Sequence, residues 1–237
     1  MKSQKSAPDK KPRSKSGRVE TRSLTDEAYR LLKWKILSME LVPGTFLNEQ
    51  ALVETTAFGR APIHQALHRL QYDGLVEIRP RKGVQVKVWS PADIAHLMEA
   101  RLPLEIAIAR LAAERAAEPD IAQLREQLAT GPALIKSQDR EGLMRLDQDF
   151  HHALAVFARS PVLAEVAETL HHRSMLLWYL PISGLPEYEL VLRQHSAILD
   201  AVAAHDPNRA AAAITDHLTG LASITDQPIL PPHQNGK

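Results

Sequence analysis

Four residues in the C-terminal half of the chain have the types and the spacing of a metal site. Asp147 and His151 lie four residues apart in the helical stretch RLDQDFHHALAVF, so their side chains project from one face of that helix. His195 and His217 lie mid-helix in two later stretches, each about ten residues from the turn at 206–208. In an antiparallel helical hairpin these two histidines lie at similar heights, about 15 Å from the turn.

This set of one carboxylate and three imidazoles suits a borderline divalent ion. Zn²⁺ is the expected ion, with Ni²⁺ and Mn²⁺ as alternatives, and positions remain open for water or a ligand oxygen. The opposing interpretation is that these histidines are simply packed or exposed, since the chain contains 11 histidines. We assign six others to that ordinary class: His96, His152, His171, His172, His205 and His233.

The charge of the chain changes sign near Trp89. Residues 1–90 contain 17 Lys and Arg against 9 Asp and Glu, whereas the rest contains 12 against 19. The formal net charge of +1 therefore conceals two opposed halves. A basic half joined to an acidic, histidine-rich half indicates a protein that binds nucleic acid with one domain and a different ligand with the other.

Composition excludes several classes of protein. The chain has no cysteine, which rules out disulfides and thiolate metal sites and fits a cytoplasmic location. No apolar run approaches the length of a membrane span, so no membrane partner is expected. The basic N-terminal stretch lacks the apolar core of a signal peptide and is interpreted as a disordered arm. That arm either contacts DNA phosphates or only improves solubility.

The basic half has the element order of a winged helix-turn-helix. Apolar residues at helical spacing predict three helices, and two alternating segments predict a β-hairpin with a basic tip. The third helix has Pro62 in its first turn and a buried stripe of Ile63, Ala66, Leu67 and Leu70. The expected elements are helices over 24–39, 49–55 and 61–72 and strands over 75–78 and 84–88.

The second half is predicted to be an all-α antiparallel bundle of six to seven helices, so the protein is mainly α. Its first helix begins with Ser90 as N-cap, Pro91 at N1 and Asp93 at N3, and contains Pro103, which predicts a kink. The predicted domains are a basic arm (1–21), the winged helix-turn-helix (22–89), the bundle (90–227) and a flexible tail (228–237).

The stretch from Leu47 to Val86 resembles the DNA-binding domain of the GntR family of bacterial transcription regulators. The resemblance rests on these positions within that stretch: Glu49, Leu52, Arg60, Pro62, Ala66, Leu67, Arg69, Leu70, Gly74, Leu75, Val76, Arg79, Pro80 and Gly83. It implies that double-stranded operator DNA is a partner. Arg69 lies on another side of the helix and is expected to be a solvated cation.

The resemblance also implies which residues meet DNA. Arg60, Ala61 and His64 lie at the start of the third helix, which enters the major groove in this architecture. Arg81 and Lys82 on the wing are expected over phosphates, where Gly83 permits close approach. The chain departs from the family pattern, which usually has Ser, Thr and Arg-Glu where Gly59, Ala61, His64 and Gln65 stand. We therefore expect an altered operator or weaker binding.

The C-terminal half resembles the FCD branch of the same family. The segments DQDFH and ELRQHSAILDAVAAHDPNRAAAAITDHL carry this resemblance. It implies that Asp147, His151, His195 and His217 bind a metal ion. The branch also carries an Arg-x-x-Leu-Glu motif, which stands here as residues 101–105. It implies that Arg101 grips a carboxylate effector; the alternative is a surface pair between Arg101 and Glu105.

Together these features predict a ligand-responsive transcriptional regulator without catalytic residues. It is expected to act as a homodimeric repressor that binds a pseudo-palindromic operator, with a small carboxylate effector near the metal ion. Two alternatives remain open. One is a metalloenzyme joined to a DNA-binding head, with Glu105 or Asp149 as base. The other is a constitutive DNA-binding protein whose metal ion is purely structural.

Overall fold

The computed structural model describes residues 23–178 and 185–224, so the predicted arm and the whole of the predicted tail, including His233, lie outside the described residues. The N-terminal half forms the winged helix-turn-helix, hereafter the head. Its elements are α1 (Leu24–Leu37), β1 (Phe46–Leu47), α2 (Glu49–Thr55), α3 (Arg60–Tyr72), β2 (Val76–Arg79) and β3 (Gly83–Val86).

The ends of the head helices follow from local capping. The Ser23 hydroxyl accepts a hydrogen bond from Asp26 N at the start of α1, and the Asn48 side chain accepts one from Ala51 N at the start of α2. The helix α3 begins at Arg60 and has Pro62 in its first turn, where a missing N–H is not needed. All three helices lie where the sequence predicts them, within two residues.

The sheet of the head contains one strand that the sequence does not predict. Its order is β1-β3-β2, and both pairings are antiparallel. The strand β1 has only two residues, paired with Gln85 and Val84, so it is too short to show an alternating pattern. The predicted stripe of α3 is confirmed, because Ile63, Ala66, Leu67 and Leu70 are all buried in the head core.

The C-terminal half forms an all-α bundle, as predicted. Within its described residues there are seven helices: α4 (Pro91–Arg115), α5 (Glu118–Leu128), α6 (Gly131–Lys136), α7 (Arg140–Phe157), α8 (Pro161–Trp178), α9 (Leu185–Ala203) and α10 (Pro207–Ile224). Ser90 and Asp93 form the predicted capping box. None of the helices in the described part of the chain is long and apolar enough to cross a membrane.

Helix α4 continues through Pro103 as a single helix of 25 residues. Proline removes one backbone donor from a helix, which leaves the carbonyl four residues earlier without its partner. Pro103 and Glu99 are both exposed, so water is available to that carbonyl. The opposite side of α4 is buried and carries Arg101 and Glu105 toward the bundle interior, where α7, α8, α9 and α10 pack against it.

Candidate metal centre and nucleic-acid interface

The structure brings the four predicted metal ligands together. Asp147 and His151 come from one face of α7, His195 from α9 and His217 from α10. One ligand atom from each lies within 4.8 Å of the ligand atoms of the other three. The three histidines are buried, at 4%, 1% and 0% exposure, while the Asp147 side chain keeps 19%. The three histidines are therefore shielded from water, and Asp147 forms the partly exposed side of the cluster.

The state of these side chains fits a bound cation. Neither ring nitrogen of His195 makes a hydrogen bond within the described chain, although its Nε2 lies 3.5 Å from Asp147 Oδ1. Burial, followed by the charge of nearby groups, holds the pKa of His195 and of His217 well below the usual value. Both imidazoles are therefore neutral near pH 7, which is the form that binds a metal ion.

Two side chains orient the ligand rings from outside the cluster. Glu105 Oε2 lies 3.4 Å from His151 Nδ1, and Gln194 Oε1 lies 3.1 Å from His217 Nδ1. If each Nδ1 donates to its oxygen partner, the Nε2 lone pair faces inward, as in carboxylate–histidine–metal arrangements. His195 is held differently, because its ring stacks on Phe150 with 3.9 Å between centroids.

Arg101 points into the bundle, so its pair with Glu105 is made in the interior and not on the surface. Arg101 Nε donates to Glu105 Oε1 at 3.1 Å, and both side chains are at most 2% exposed. Its Nη1 donates to Ser174 Oγ at 2.7 Å. Burial would raise the pKa of Glu105, but the charges of His151 and Arg101 outweigh it and lower that pKa to about 2. Glu105 is therefore ionised.

Sequence reasoning missed His171, which was assigned to the ordinary histidines. Its Nδ1 lies 3.0 Å from Arg101 Nη2, and its Nε2 lies 3.5 Å from Asp147 Oδ2. With Glu105 and His151 it forms a second group of close metal-ligand types, but the guanidinium of Arg101 contacts all three. The available signal was its spacing of three from Ser174, which places both on one face of α8.

Two cavities border this cluster. The larger, of about 240 Å³, lies between α7 and α8 and reaches the buried cluster at His151 and His171. Its outer residues include the exposed Asp149 and Glu168. The smaller, of about 30 Å³, adjoins Asp147 and His195 and is otherwise lined mainly by apolar side chains. A small ligand therefore has a polar route from the surface to the cluster.

The predicted DNA-facing residues of α3 share one exposed end of the helix. Arg60, Ala61 and His64 are all exposed. Arg60 Nη2 donates to Gln50 Oε1 at 3.0 Å, and His64 Nδ1 lies 3.2 Å from Glu49 Oε1. Both partners lie on α2, which thus sets the direction of the two side chains. Such exposed contacts are weak enough to be exchanged for contacts with DNA.

The wing tip presents its cations on a tight turn. Lys82 N donates to Arg79 O at 3.0 Å, and φ is +65° at Arg81 and +95° at Gly83. Pro80 occupies the second position of this turn and Arg81, with its positive φ, the third, as in a type II turn. Arg81, Lys82 and Gly83 are all exposed, as a backbone contact requires.

Arg69 does not join this surface. Its Nη1 donates to Asp26 Oδ1 at 2.6 Å, and its guanidinium lies 4.0 Å from the centroid of the Tyr29 ring. Although half-exposed, Arg69 therefore connects α3 to α1 and is not the solvated cation that the sequence predicts.

Comparison with known families agrees with both halves. Residues 24–86 match the bacterial regulatory proteins of the gntR family, and residues 96–220 match the FCD domain. The chain belongs to the FCD branch of the GntR family. GntR proteins are transcriptional regulators that bind operator DNA, and the chain is a regulator of this GntR/FCD type.

Curated relatives and solved structures resemble the GntR regulator over most of its length. The transcriptional repressor RspR of Escherichia coli is 28% identical over 207 residues, which are 87% of this chain and 91% of RspR. The repressor NanR of an Enterobacter species is 28% identical, with 85% of each chain covered. The fold is that of E. coli McbR/YncC, with a TM-score of 0.75 at 23% identity, covering 87% of this chain and 99% of that one.

The regulator has a buried polar cluster where its head meets the bundle. Tyr29 donates a short hydrogen bond to Asp73, and His172 of α8 lies 3.8 Å from the same carboxyl group. Lys33, 8% exposed, lies 5.7 Å from the centroid of the Tyr29 ring. Burial lowers the pKa of Lys33 to about 8, against the attraction of Asp73 and Glu168.

Lys33 is therefore expected to make the stability of the regulator depend on pH. Between about pH 8 and 10.5 the unfolded chain holds the Lys33 proton and the folded chain does not. The free energy of unfolding should rise with pH there, by at most about 1.4 kcal/mol per pH unit. Above pH 10 the raised pKa of Tyr29 acts in the opposite direction. Urea unfolding between pH 7.5 and 9.5 measures this rise.

The substitution Lys33→Met should remove that rise, because it removes the titrating amine. The substitution Lys82→Met, at an exposed lysine of the wing, should leave it intact. An equal slope in the wild type and in Lys33→Met would contradict the assignment.

Proposed function

We propose that the chain is a dimeric repressor whose operator affinity is set by a metal ion and a small carboxylate held in its FCD bundle. One observation carries the proposal. The ligand atoms of Asp147, His151, His195 and His217 lie within 4.8 Å of one another, in a chain whose other half is a GntR head. The proposed domains are the head (22–89) and the FCD bundle (90–227), with an arm before and a tail after them.

In the proposed complex, two heads read the two half-sites of a pseudo-palindromic operator. Each α3 lies in the major groove, with Arg60, Ala61 and His64 facing base edges. Arg81 and Lys82 bind phosphates, where the absence of a side chain at Gly83 brings the wing backbone close to the duplex. The exposure of all six residues supports these roles.

The charges of the cluster support an anionic effector. Inside the cluster the negative charge of Glu105 is matched by the positive charge of Arg101, and the rings of His195 and His217 are neutral. A divalent cation bound by the four candidate ligands would therefore add positive charge next to Arg101. A bound Zn²⁺ ion, or Ni²⁺ or Mn²⁺, would supply a Lewis-acid position for one carboxylate oxygen. Effector binding should therefore require the metal ion.

Arg101 is the proposed second contact of the effector. Its Nη1 and Nη2 donate to neutral acceptors, the Ser174 hydroxyl and the His171 ring, while Nε is held by the carboxylate of Glu105. An anionic carboxylate is a stronger acceptor than either neutral group. It can therefore take over the Nη edge of Arg101 while Glu105 keeps the side chain in place.

The direction of regulation is proposed from the relatives, since RspR and NanR are both described as repressors. The test uses a duplex that the protein selects from random-sequence DNA. Fluorescence anisotropy gives the operator affinity with Zn²⁺ or with chelator, against a panel of small organic, sugar and amino acids. At least one carboxylate should weaken operator binding, and only when Zn²⁺ is present.

The same experiment separates the alternatives. Operator affinity that responds to no carboxylate would favour a constitutive DNA-binding protein with a structural metal ion. Conversion of a carboxylate by the Zn²⁺-loaded protein would favour a metalloenzyme. The membership of the relatives in a family of regulators favours a protein without catalytic activity.

The substitution Arg60→Ala is expected to weaken operator binding by about 1–3 kcal/mol, or roughly 5- to 150-fold, and to relax base preference at one position of each half-site. The reason is the loss of a contact to a base edge. The matched variant Lys82→Ala should instead weaken binding to all sequences alike and reduce the slope of log affinity against log salt by about 1. Competition with duplexes altered at single positions measures both effects. Equal behaviour of the two variants would show that Arg60 does not contact a base.

A further inference from the structure

A single turn of α8 contacts the candidate site and the DNA-binding head at once. We call residues His171 to Met175 the coupling turn. His171 and Ser174, three residues apart, face the bundle interior. His172 and Met175, also three residues apart, face the head, as does Arg173 between them. The two faces are adjacent on one helix, because His172 and Met175 each directly follow a residue that faces the bundle interior.

On the site side, the coupling turn is held by Arg101. Ser174 Oγ accepts from Arg101 Nη1 at 2.7 Å, and His171 Nδ1 lies 3.0 Å from Arg101 Nη2. The Ser174 hydroxyl also donates to the His171 backbone carbonyl at 2.7 Å, so the two contacts belong to one rigid piece of helix. Both side chains are at most 3% exposed.

On the head side, the coupling turn contacts the end of α3. His172 Nδ1 lies 3.8 Å from Asp73 Oδ1, and Asp73 is the C-cap residue of α3. The Arg173 side chain lies against Gly74, so that a Cβ there would lie only 3.2 Å from its Nε. Met175 is 1% exposed and belongs to the hydrophobic core of the head.

A second contact ties the coupling turn to the metal ligands. Gln148, which follows Asp147 on α7, places its amide nitrogen 3.0 Å from His172 Nε2. Asp73 in turn accepts a hydrogen bond from Tyr29 of α1. The chain of contacts therefore runs without a gap from the site, through the coupling turn, to α1 and to α3, the helix that carries Arg60, Ala61 and His64.

We propose that the coupling turn transmits the state of the site to the DNA-binding head. The proposal rests on the proposed function in one respect, namely that ligands act at Arg101 and the neighbouring cluster. When the Nη edge of Arg101 turns to a ligand, Ser174 and His171 lose the hydrogen bonds that hold the turn. A closely packed helix responds by shifting as a unit, and His172, Arg173 and Met175 then change their fit against α3.

The test measures amide hydrogen exchange of the full chain with and without Zn²⁺, the metal ion itself serving as probe. In the wild type, Zn²⁺ should slow exchange in bundle peptides around 143–152 and in head peptides around 66–79. The expected slowing in the head is on the order of fivefold or more. In the double variant His172→Asn/Arg173→Ala, the bundle should respond as before and the head should not. The control His96→Asn/Arg193→Ala, at exposed positions on α4 and α9, should behave as the wild type.

A second perturbation makes the result independent of the metal ion. The substitution Arg101→Lys alters the site side of the coupling turn, so it should change head exchange in the wild-type background and not in His172→Asn/Arg173→Ala. Head responses that persist in that double variant, or that are absent in the wild type for both perturbations, would overturn the coupling. Failure of Zn²⁺ to bind would overturn the proposed metal site, and Arg101→Lys would then decide the coupling by itself.

Discussion

Replacing His195 by alanine is expected to abolish stoichiometric metal binding while leaving the head folded. His195 is 1% exposed, and its Nε2 faces Asp147 in the cluster. Substitution of a partner outside the ligand set typically reduces metal affinity by 10- to 100-fold, so loss of a ligand should reduce it by more than about 100-fold. Metal analysis after dialysis against Zn²⁺, together with titration calorimetry, measures the change.

Two further variants separate the loss of a ligand from damage to the fold. Alanine at position 195 leaves a cavity over Phe150, which alone costs about 3 kcal/mol. The substitution His195→Phe keeps a ring stacked there without a nitrogen donor, so it should lose metal binding with a smaller loss of stability. The substitution His96→Ala removes an exposed histidine of α4 and should change neither property. One equivalent of Zn²⁺ retained by both His195 variants would show that the ligand set is wrong.

Replacing Arg101 by methionine is expected to destabilise the bundle by about 3–5 kcal/mol, since this leaves a buried carboxylate without its cation. Glu105 is 2% exposed, and its pKa of about 2 depends in part on Arg101. Methionine keeps most of the volume of the side chain. The loss of stability therefore measures the effect of removing the charge and not the effect of creating a cavity. Urea unfolding in the presence of chelator gives the free energy of unfolding.

The double variant Arg101→Met/Glu105→Gln tests the cause. It removes both charges, so it should recover most of the stability lost in Arg101→Met, because replacing a whole buried pair is far less costly than breaking it. The Glu105→Gln single variant leaves the buried Arg101 without its carboxylate partner and should be destabilised as well. A double variant as unstable as Arg101→Met would show that packing, and not the ion pair, is the main contribution of Arg101.

The four candidate ligands could be found from the sequence because their placement depends on regular geometry. Asp147 and His151 share a helix face by their spacing of four. His195 and His217 are nearly symmetrical about the turn between α9 and α10, so an antiparallel hairpin brings them level. The packing of the helices determines which of them surround these residues and how far the cluster is buried from water. Only the structure gave the outer contacts of Glu105 and Gln194.

The fold was predictable where a signal is local and strong. The N-caps Ser23, Asn48 and Ser90 stand where the sequence predicts helix starts, because capping needs only one side chain and the next turn. The strand β1 has no such signal, because two residues are too few to show an alternating hydrophobic pattern. They form a strand because they pair with β3. Arg69 was expected in solvent because it lies away from the DNA-facing side of α3. Its partner Asp26 lies 43 residues away in the chain, so no local spacing indicates the pair.

By itself, the sequence determined the family, the two halves of opposite charge, the helix boundaries and the four residues that could bind a metal ion. These follow from composition and from spacing within one element or across one turn. Only the tertiary structure decided that Arg101 and Glu105 pair in the interior, that His171 joins them, and that residues 171–175 contact both the site and the head. Those contacts join α4, α7, α8 and the head, and the relative placement of separate elements is set by how their side chains pack, which no spacing along the chain records.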